Sequence, residues 1–160
     1  MVADIKITAN TVDVMAFIKR TKQAIPTQIQ KGLAQASLYG IQQITDKSQK
    51  GQLPDGGRFK PYKKSTRKDR ARRGRQVSFV DLTDTGRMFR SLTSKLTRSK
   101  ATLFFRRQDE NRKAFFLETG TKHMQSRPFF AIARRDEDKI RQIFFRAIKI
   151  WVNEKILLEI

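Results

Sequence analysis

The sequence predicts an α+β fold: a long N-terminal helix and a C-terminal helix packed on a small, mainly antiparallel sheet, with a basic loop at 51–76. Three observations carry that expectation. Apolar residues recur at helical spacing from Val14 to Ile44 and again from Ile140 to Leu158. Residues 91–97 and 101–107 alternate as the two arms of a hairpin do, with Leu92 and Leu96 facing Leu103 and Phe105. Between the first helix and that hairpin, turn residues and charge replace apolar periodicity.

Taken in order, residues 3–8 alternate like a short strand, and Asn10 or Thr11 suits the N-cap of the helix that follows. Val14, Phe17, Ile18, Thr21 and Ile25 share a face. Pro26 then marks a kink or the first residue of a second helix, because proline has no backbone N–H to donate. Ile29, Leu33, Ala36, Ile41 and Ile44 continue the face. Gly32, Ala36 and Gly40 recur every fourth residue beside it. Glycine costs a helix interior roughly 0.8–1 kcal/mol, and close approach of a neighbouring backbone is the compensation expected here. The stripe is therefore a candidate packing surface, against a sheet or another subunit.

Gly51 ends the helix, and Pro54-Asp55-Gly56-Gly57 is a turn in which proline fixes φ and glycine permits a positive φ. Val77–Leu82 reads as a short strand, and Asp84 as the cap of a helical turn bearing Met88, Phe89 and Leu92. Residues 108–112 read as polar loop, and Ala114–Glu118 as a short helix closed by Gly120. Asp136, Glu137 and Asp138 then suit the positive end of a helix dipole. No repeat of 20–50 residues is visible.

The chain of 160 residues fits a single domain, 1–160. Its 38% hydrophobic content, including twelve Phe, excludes a wholly disordered polypeptide, whereas 31% charged residues leave a thin core that partner subunits are expected to complete. Thirty-five Lys and Arg against fifteen Asp and Glu give a formal charge of +20. Such a chain attracts polyanions: nucleic acid, an acidic protein surface or, least suited, anionic lipid. No apolar run approaches the roughly 20 residues of a membrane span, and no secretory leader is evident. With no cysteine, disulfides, thiolate zinc sites and a thiol nucleophile are excluded together.

The strongest local signal is Arg58–Arg75. Ten cations (Arg58, Lys60, Lys63, Lys64, Arg67, Lys68, Arg70, Arg72, Arg73 and Arg75) meet one acid, Asp69, so these eighteen positions hold +9 of the net charge. Clustered cations displace counterions from phosphates and bind without regard to sequence. An acidic protein partner would be met equally well. Only Phe59 and Tyr62 interleave as aromatics, too few for a base-stacking platform.

Catalytic chemistry finds little support. His123, the sole histidine, sits in a loop beside Lys122 with no nucleophile or orienting carboxylate implied by spacing. Asp81, Asp84 and Glu118 are the carboxylates a metal-dependent nuclease would use, but no pair has distinctive spacing. Asp55-Gly56-Gly57-Arg58 lacks the spacing of a phosphate-binding loop. No catalytic, cofactor or metal residues are assigned, and no cofactor is expected.

Three segments, in this order, resemble one family. Pro54-Asp55-Gly56-Gly57-Arg58-Phe59-Lys60-Pro61-Tyr62 is similar to an aspartate–glycine, aromatic, proline turn before a basic loop. Leu82-Thr83-Asp84-Thr85-Gly86-Arg87-Met88-Phe89-Arg90-Ser91-Leu92 is similar to an L-x-D-T-G-x-L-x-x-S-hydrophobic segment. Phe115-Phe116-Leu117-Glu118-Thr119-Gly120-Thr121-Lys122, followed by Arg127-Pro128-Phe129-Phe130, is similar to a hydrophobic–E/Q-x-G-T turn leading through R-P-F into a last helix. The family is that of the tail-completion or virion-morphogenesis proteins of tailed bacteriophages, also called minor tail or neck proteins. The segments cover residues 54–130. Phe89 departs from the family's usual small or polar residue, and 63–75 is more basic than the family pattern.

The resemblance implies a structural, non-enzymatic virion protein of the head–tail junction, made in the host cytoplasm. It implies a ring, six copies commonly, that caps the tail tube, meets the head connector and lies near packaged DNA; no membrane or small-molecule substrate is expected. Its motif positions here are Asp55, Gly56, Asp84, Thr85, Gly86, Glu118, Gly120, Arg127, Pro128 and Phe129. The charge alone also fits a general nucleic-acid-binding protein, such as a ribosome-associated one, and the carboxylates leave a metal-dependent nuclease as a third reading.

Overall fold

The structure is a computed structural model that describes residues 11–157. The expected strand at 3–8 and the cap at Asn10 lie outside the described residues. Helix α1 runs Thr11–Gln49, α2 Lys64–Arg72 and α3 Arg87–Ser91. Strands β1 (Leu92–Leu96) and β2 (Ala101–Phe105) follow, then α4 (Gln108–Thr119) and α5 (Arg134–Leu157). The fold is α+β, with long first and last helices packed along each other and the hairpin lying against α1.

Helix α1 continues unbroken through Pro26. The missing N–H frees only the carbonyl four residues earlier, and residues 22–25 are largely exposed, where water satisfies it. The small-residue stripe does have a close neighbour, as its composition requires. Its neighbours lie in the chain itself: α5, the segment just before it and β2. A Cβ on Gly32 would lie 3.0 Å from the Phe144 ring and 3.2 Å from the Phe144 carbonyl oxygen. At Gly40 it would meet Ile132, Leu103 and Ile140 at 3.5–3.8 Å. Ala36 between them is buried.

The strands form a two-stranded antiparallel sheet in which Leu92 pairs with Phe105, Ser94 with Leu103 and Leu96 with Ala101. Thr97 closes the turn: its N–H donates to the Lys100 carbonyl at 2.8 Å, and its Oγ1 accepts the Lys100 N–H at 3.2 Å.

Four local expectations are corrected. The stretch 51–76 is not loop throughout, because α2 occupies its middle. Lys and Arg are good helix formers, and Asp69 pairs with Arg72 and Arg73 one turn on. Val77–Leu82 is not a strand: no partner edge meets it. Val80, 1% exposed, is instead driven into the core, and Asp81 turns the chain by accepting the Thr83 N–H at 3.1 Å. Asp84 does not cap α3. Gly86 occupies that place with φ +71°, and a Cβ there would strike the Arg90 guanidinium at 2.7 Å. Residues 108–112 are helical, since Asp109 and Glu110 suit the first turn of α4.

The core is small and aromatic. Ile44, Phe59, Val80, Met88, Phe89, Leu92, Phe105, Ala114 and Phe129 form one buried cluster. Phe129, 2% exposed, meets Phe89 edge-on at 6.0 Å and lies 6.3 Å from Phe105. The large residue at 89 thus fills space against Phe129. Buried ion pairs supplement this core. Lys47 near the end of α1 bonds Asp136 in the first turn of α5 and also donates to the Pro54 carbonyl at 3.1 Å. Glu110, 1% exposed, takes Lys113 at 2.7 Å and Arg87 at 3.4 Å, joining α4 to α3. No helix among the described residues is long and apolar enough to cross a membrane.

Because Gly32 is closed by Phe144 of the same chain, Gly32→Leu forces the two helices apart. It is expected to cost about 1–3 kcal/mol in urea denaturation, independent of protein concentration. A loss that appears only at concentrations where copies associate would assign the stripe to a subunit interface.

Candidate polyanion-binding surface and adjoining groove

The ten cations of Arg58–Arg75 do not act as one set. Arg70 is buried, 5% exposed, and belongs to the framework. Its Nη2 donates to Asp81 Oδ1 at 2.9 Å and to the Thr83 carbonyl at 3.0 Å, and its Nε donates to the Gln76 carbonyl at 2.9 Å. Arg72, Arg73 and Arg75 are held by Asp69 and Asp84. The Asp69 carboxyl is pulled below its ordinary range chiefly by its hydrogen bond from Arg72. Arg73 is raised chiefly by its bond to Asp84. Lys63 donates to the His123 carbonyl at 2.9 Å.

Five cations remain exposed and form no ion pair among the described residues: Arg58, Lys60, Lys64, Arg67 and Lys68. Lys64, Arg67 and Lys68 stand at helical i, i+3, i+4 spacing and, with Ala71 and Val77, line a shallow depression of about 410 Å³. This face of α2 is the part of the basic stretch able to meet phosphates or carboxylates directly.

The three motif segments, remote in sequence, meet in space. Tyr62 from the first donates its hydroxyl to Asp81 Oδ1 at 3.1 Å, immediately before the second. Burial first, then the Asp81 charge, pushes the Tyr62 hydroxyl up to about 12. The Arg70 guanidinium lies 4.7 Å from the Tyr62 ring centre, and that of Arg127, from the third segment, 5.6 Å. Glu118 Oε2 accepts the N–H groups of Phe129 and Phe130 at 3.0 and 3.1 Å, and the Leu117 carbonyl accepts the Arg127 N–H at 2.7 Å. Gly120 has φ +79°, and a Cβ there would lie 2.8 Å from the Ser126 nitrogen, so only glycine lets the chain double back.

The remaining motif residues shape turns. Asp55 Oδ1 accepts the Gly57 N–H at 3.1 Å, and Gly56 takes φ +100°. The Thr85 carbonyl accepts from Arg90 at 2.8 Å. Pro128 is exposed beside the buried Arg127 and Phe129.

Beside the Tyr62 network is a groove of about 400 Å³ between the basic segment and the 121–127 turn. His123 lines it, exposed, and its ring makes no hydrogen bond among the described residues. The three carboxylates considered for a metal are each otherwise engaged: Asp81 by Arg70, Asp84 by Arg73 and Glu118 by two backbone N–H groups. Among the described residues no group of three or more His, Asp or Glu gathers as a metal site would. Sequence reasoning missed the buried role of Arg70, which looks like any of its nine neighbours in charge. The Asp81 that singles it out lies outside the basic run.

Two outcomes are expected. Arg70→Ala strands a largely buried Asp81 and is expected to cost about 3–5 kcal/mol in chemical denaturation, whereas Lys68→Ala stays within about 0.5 kcal/mol. The raised Tyr62 hydroxyl contributes stability fully present below pH 10, the unfolded value, and lost as pH rises toward 12. In ultraviolet titration, Tyr62→Phe is expected to remove an ionisation near pH 12.

No family model matches the chain, and neither does any curated protein or solved structure.

Proposed function

We propose that this protein is a structural subunit of the tailed-phage head–tail junction, of tail-completion or neck type. In this reading it forms a ring, six copies by resemblance, that caps the tail tube and joins it to the head connector. The observation that carries the reading is the convergence of the three resembling segments. Phe59, Phe89 and Phe129, one from each, lie in the same core cluster, and at its edge the Tyr62 ring faces Arg127 while its hydroxyl bonds Asp81.

The surface supports a subunit role. Phe115 and Phe145 are 59% and 62% exposed, and Phe104 and Phe116 about 40%. Large aromatics left this open are the material of interfaces. Work in such an assembly comes from repeated contacts rather than bond chemistry.

Deleting the gene from the phage that carries it is expected to leave filled heads and finished tails unjoined, as seen by electron microscopy. Sedimentation of the purified protein is expected to show a closed species of defined copy number. A lone monomer at every concentration, together with absence from purified particles, would falsify the proposal.

A second reading, a general nucleic-acid-binding protein, draws on the free cationic face of α2. Replacing Arg58, Lys60, Lys64, Arg67 and Lys68 with Gln separates the two. A nucleic-acid binder loses up to about 0.9 of its log–log salt slope per lost phosphate contact, with circular dichroism unchanged. A head–tail subunit instead joins poorly while its salt slope toward duplex starts small. If neither property moves, the face is merely solvated.

A further inference from the structure

The groove beside Tyr62 contains a cation with no counter-charge. Arg127 is 7% exposed, and its Nε is buried without a hydrogen-bond partner. Its Nη1 reaches only the Gln125 carbonyl, at 3.4 Å, and no ion pair forms with it among the described residues. The Tyr62 ring at 5.6 Å is its one other electrostatic partner. Among the described residues every other deeply buried charge is matched: Arg70 by Asp81, Lys47 by Asp136 and Glu110 by Lys113. A guanidinium taken out of water without a carboxylate is costly, and arginine is almost never so buried unless paired.

Arg127 lines the groove, and the groove tells what the missing anion is attached to. Its walls include Pro61, Tyr62, Leu82, Leu117 and Met124. The other cations on its wall are already committed, Arg70 to Asp81, Lys113 to Glu110 and Lys63 to the His123 carbonyl. The acid there, Asp84, is held by Arg73. A volume of about 400 Å³ admits one or two side chains. A nucleic-acid backbone suits this space poorly: its phosphates sit on convex polar strands that Leu82, Leu117 and Met124 cannot solvate. The exposed Lys64, Arg67 and Lys68 are the better match for it.

We propose that this groove is a docking site for an acidic peptide segment of a partner protein, with a Glu or Asp carboxylate closing on Arg127 and an adjacent apolar side chain against Leu117 and Met124. Arginine's planar fork favours a carboxylate in this way. Both readings of the overall function leave the groove unassigned, so the proposal stands or falls separately from them.

The test is calorimetric titration of the whole protein with a capped Phe-Glu-Leu peptide and its Phe-Gln-Leu counterpart, with inorganic phosphate and a short DNA duplex as competitors. The Glu peptide is expected to bind at least about tenfold more tightly than the Gln peptide, as a charge-assisted bond allows, and to resist both competitors. In Arg127→Met the free protein is expected to melt no lower than the parent, because an unmatched buried charge is gone, and the tenfold preference to vanish. Met124→Glu offers a carboxylate from within the groove and is expected to raise the melting temperature while blocking the peptide; it decides the matter if Arg127→Met fails to fold. No binding, equal affinity for the two peptides, or displacement by phosphate or duplex overturns the proposal. So does a folded Arg127→Met that melts lower yet keeps the preference.

Discussion

Glu118 near the end of α4 takes the amide hydrogens of both Phe129 and Phe130 on one carboxylate oxygen, and the fold is organised by that grip. It pins the irregular crossing from α4 to α5, a stretch with no ladder of its own to satisfy its backbone. Held there, Phe129 enters the core to meet Phe89 and Phe105, and the Phe130 ring lies tilted 5.3 Å from Phe105. The crossing in turn sets where α5 begins, and Asp136 at that start finds Lys47 on α1. The long helix pair, the hairpin and the motif segments thus share one anchor made by a side chain standing in for secondary structure.

Elements with a strong period are legible in the sequence. The two long helices, the existence of the hairpin, the turn at Pro54–Gly57 and the glycine after α4 all follow from spacing and backbone chemistry, whereas the register does not, since Leu96 pairs with Ala101 and Leu103 with Ser94. What failed did so where tertiary contact overrides local pattern. The helix α2 hid within a charge run because its apolar face is replaced by Arg70 bonding Asp81. Val80 mimicked a strand residue while filling a core pocket. Asp84 had the composition of a cap but answers Arg73 instead. For the candidate site, the concentration of cations was legible, but their division into framework, paired and free was not. That division depends on acids distant in sequence, such as Asp81 and Asp84.

The sorting of charge is the structural theme that joins fold to surface. A thin core stabilises a chain of this length weakly, and the buried pairs Lys47–Asp136 and Arg70–Asp81, with the buried Glu110 bound by Arg87, fix geometry where apolar area is short. Replacing such pairs with well-packed apolar groups is often neutral or stabilising. Their value here lies in direction: each joins two elements at a single relative setting. Asp136, Asp81 and Glu110 are the acids drawn into these internal duties.

Open aromatics and a large net charge make this molecule a colloid balanced between opposed forces. In dilute buffer, mutual repulsion among copies carrying +20 opposes contact between the exposed Phe115 and Phe145 and their counterparts. Added electrolyte shortens the range of that repulsion to about 10 Å at 0.1 M, while the attraction between bare rings is untouched. Raising ionic strength therefore loosens any grip on a polyanion and, in the same step, lets like molecules stick. An acidic neighbour that neutralised this charge would have the second effect without the first, and would act as the trigger for any gathering of copies.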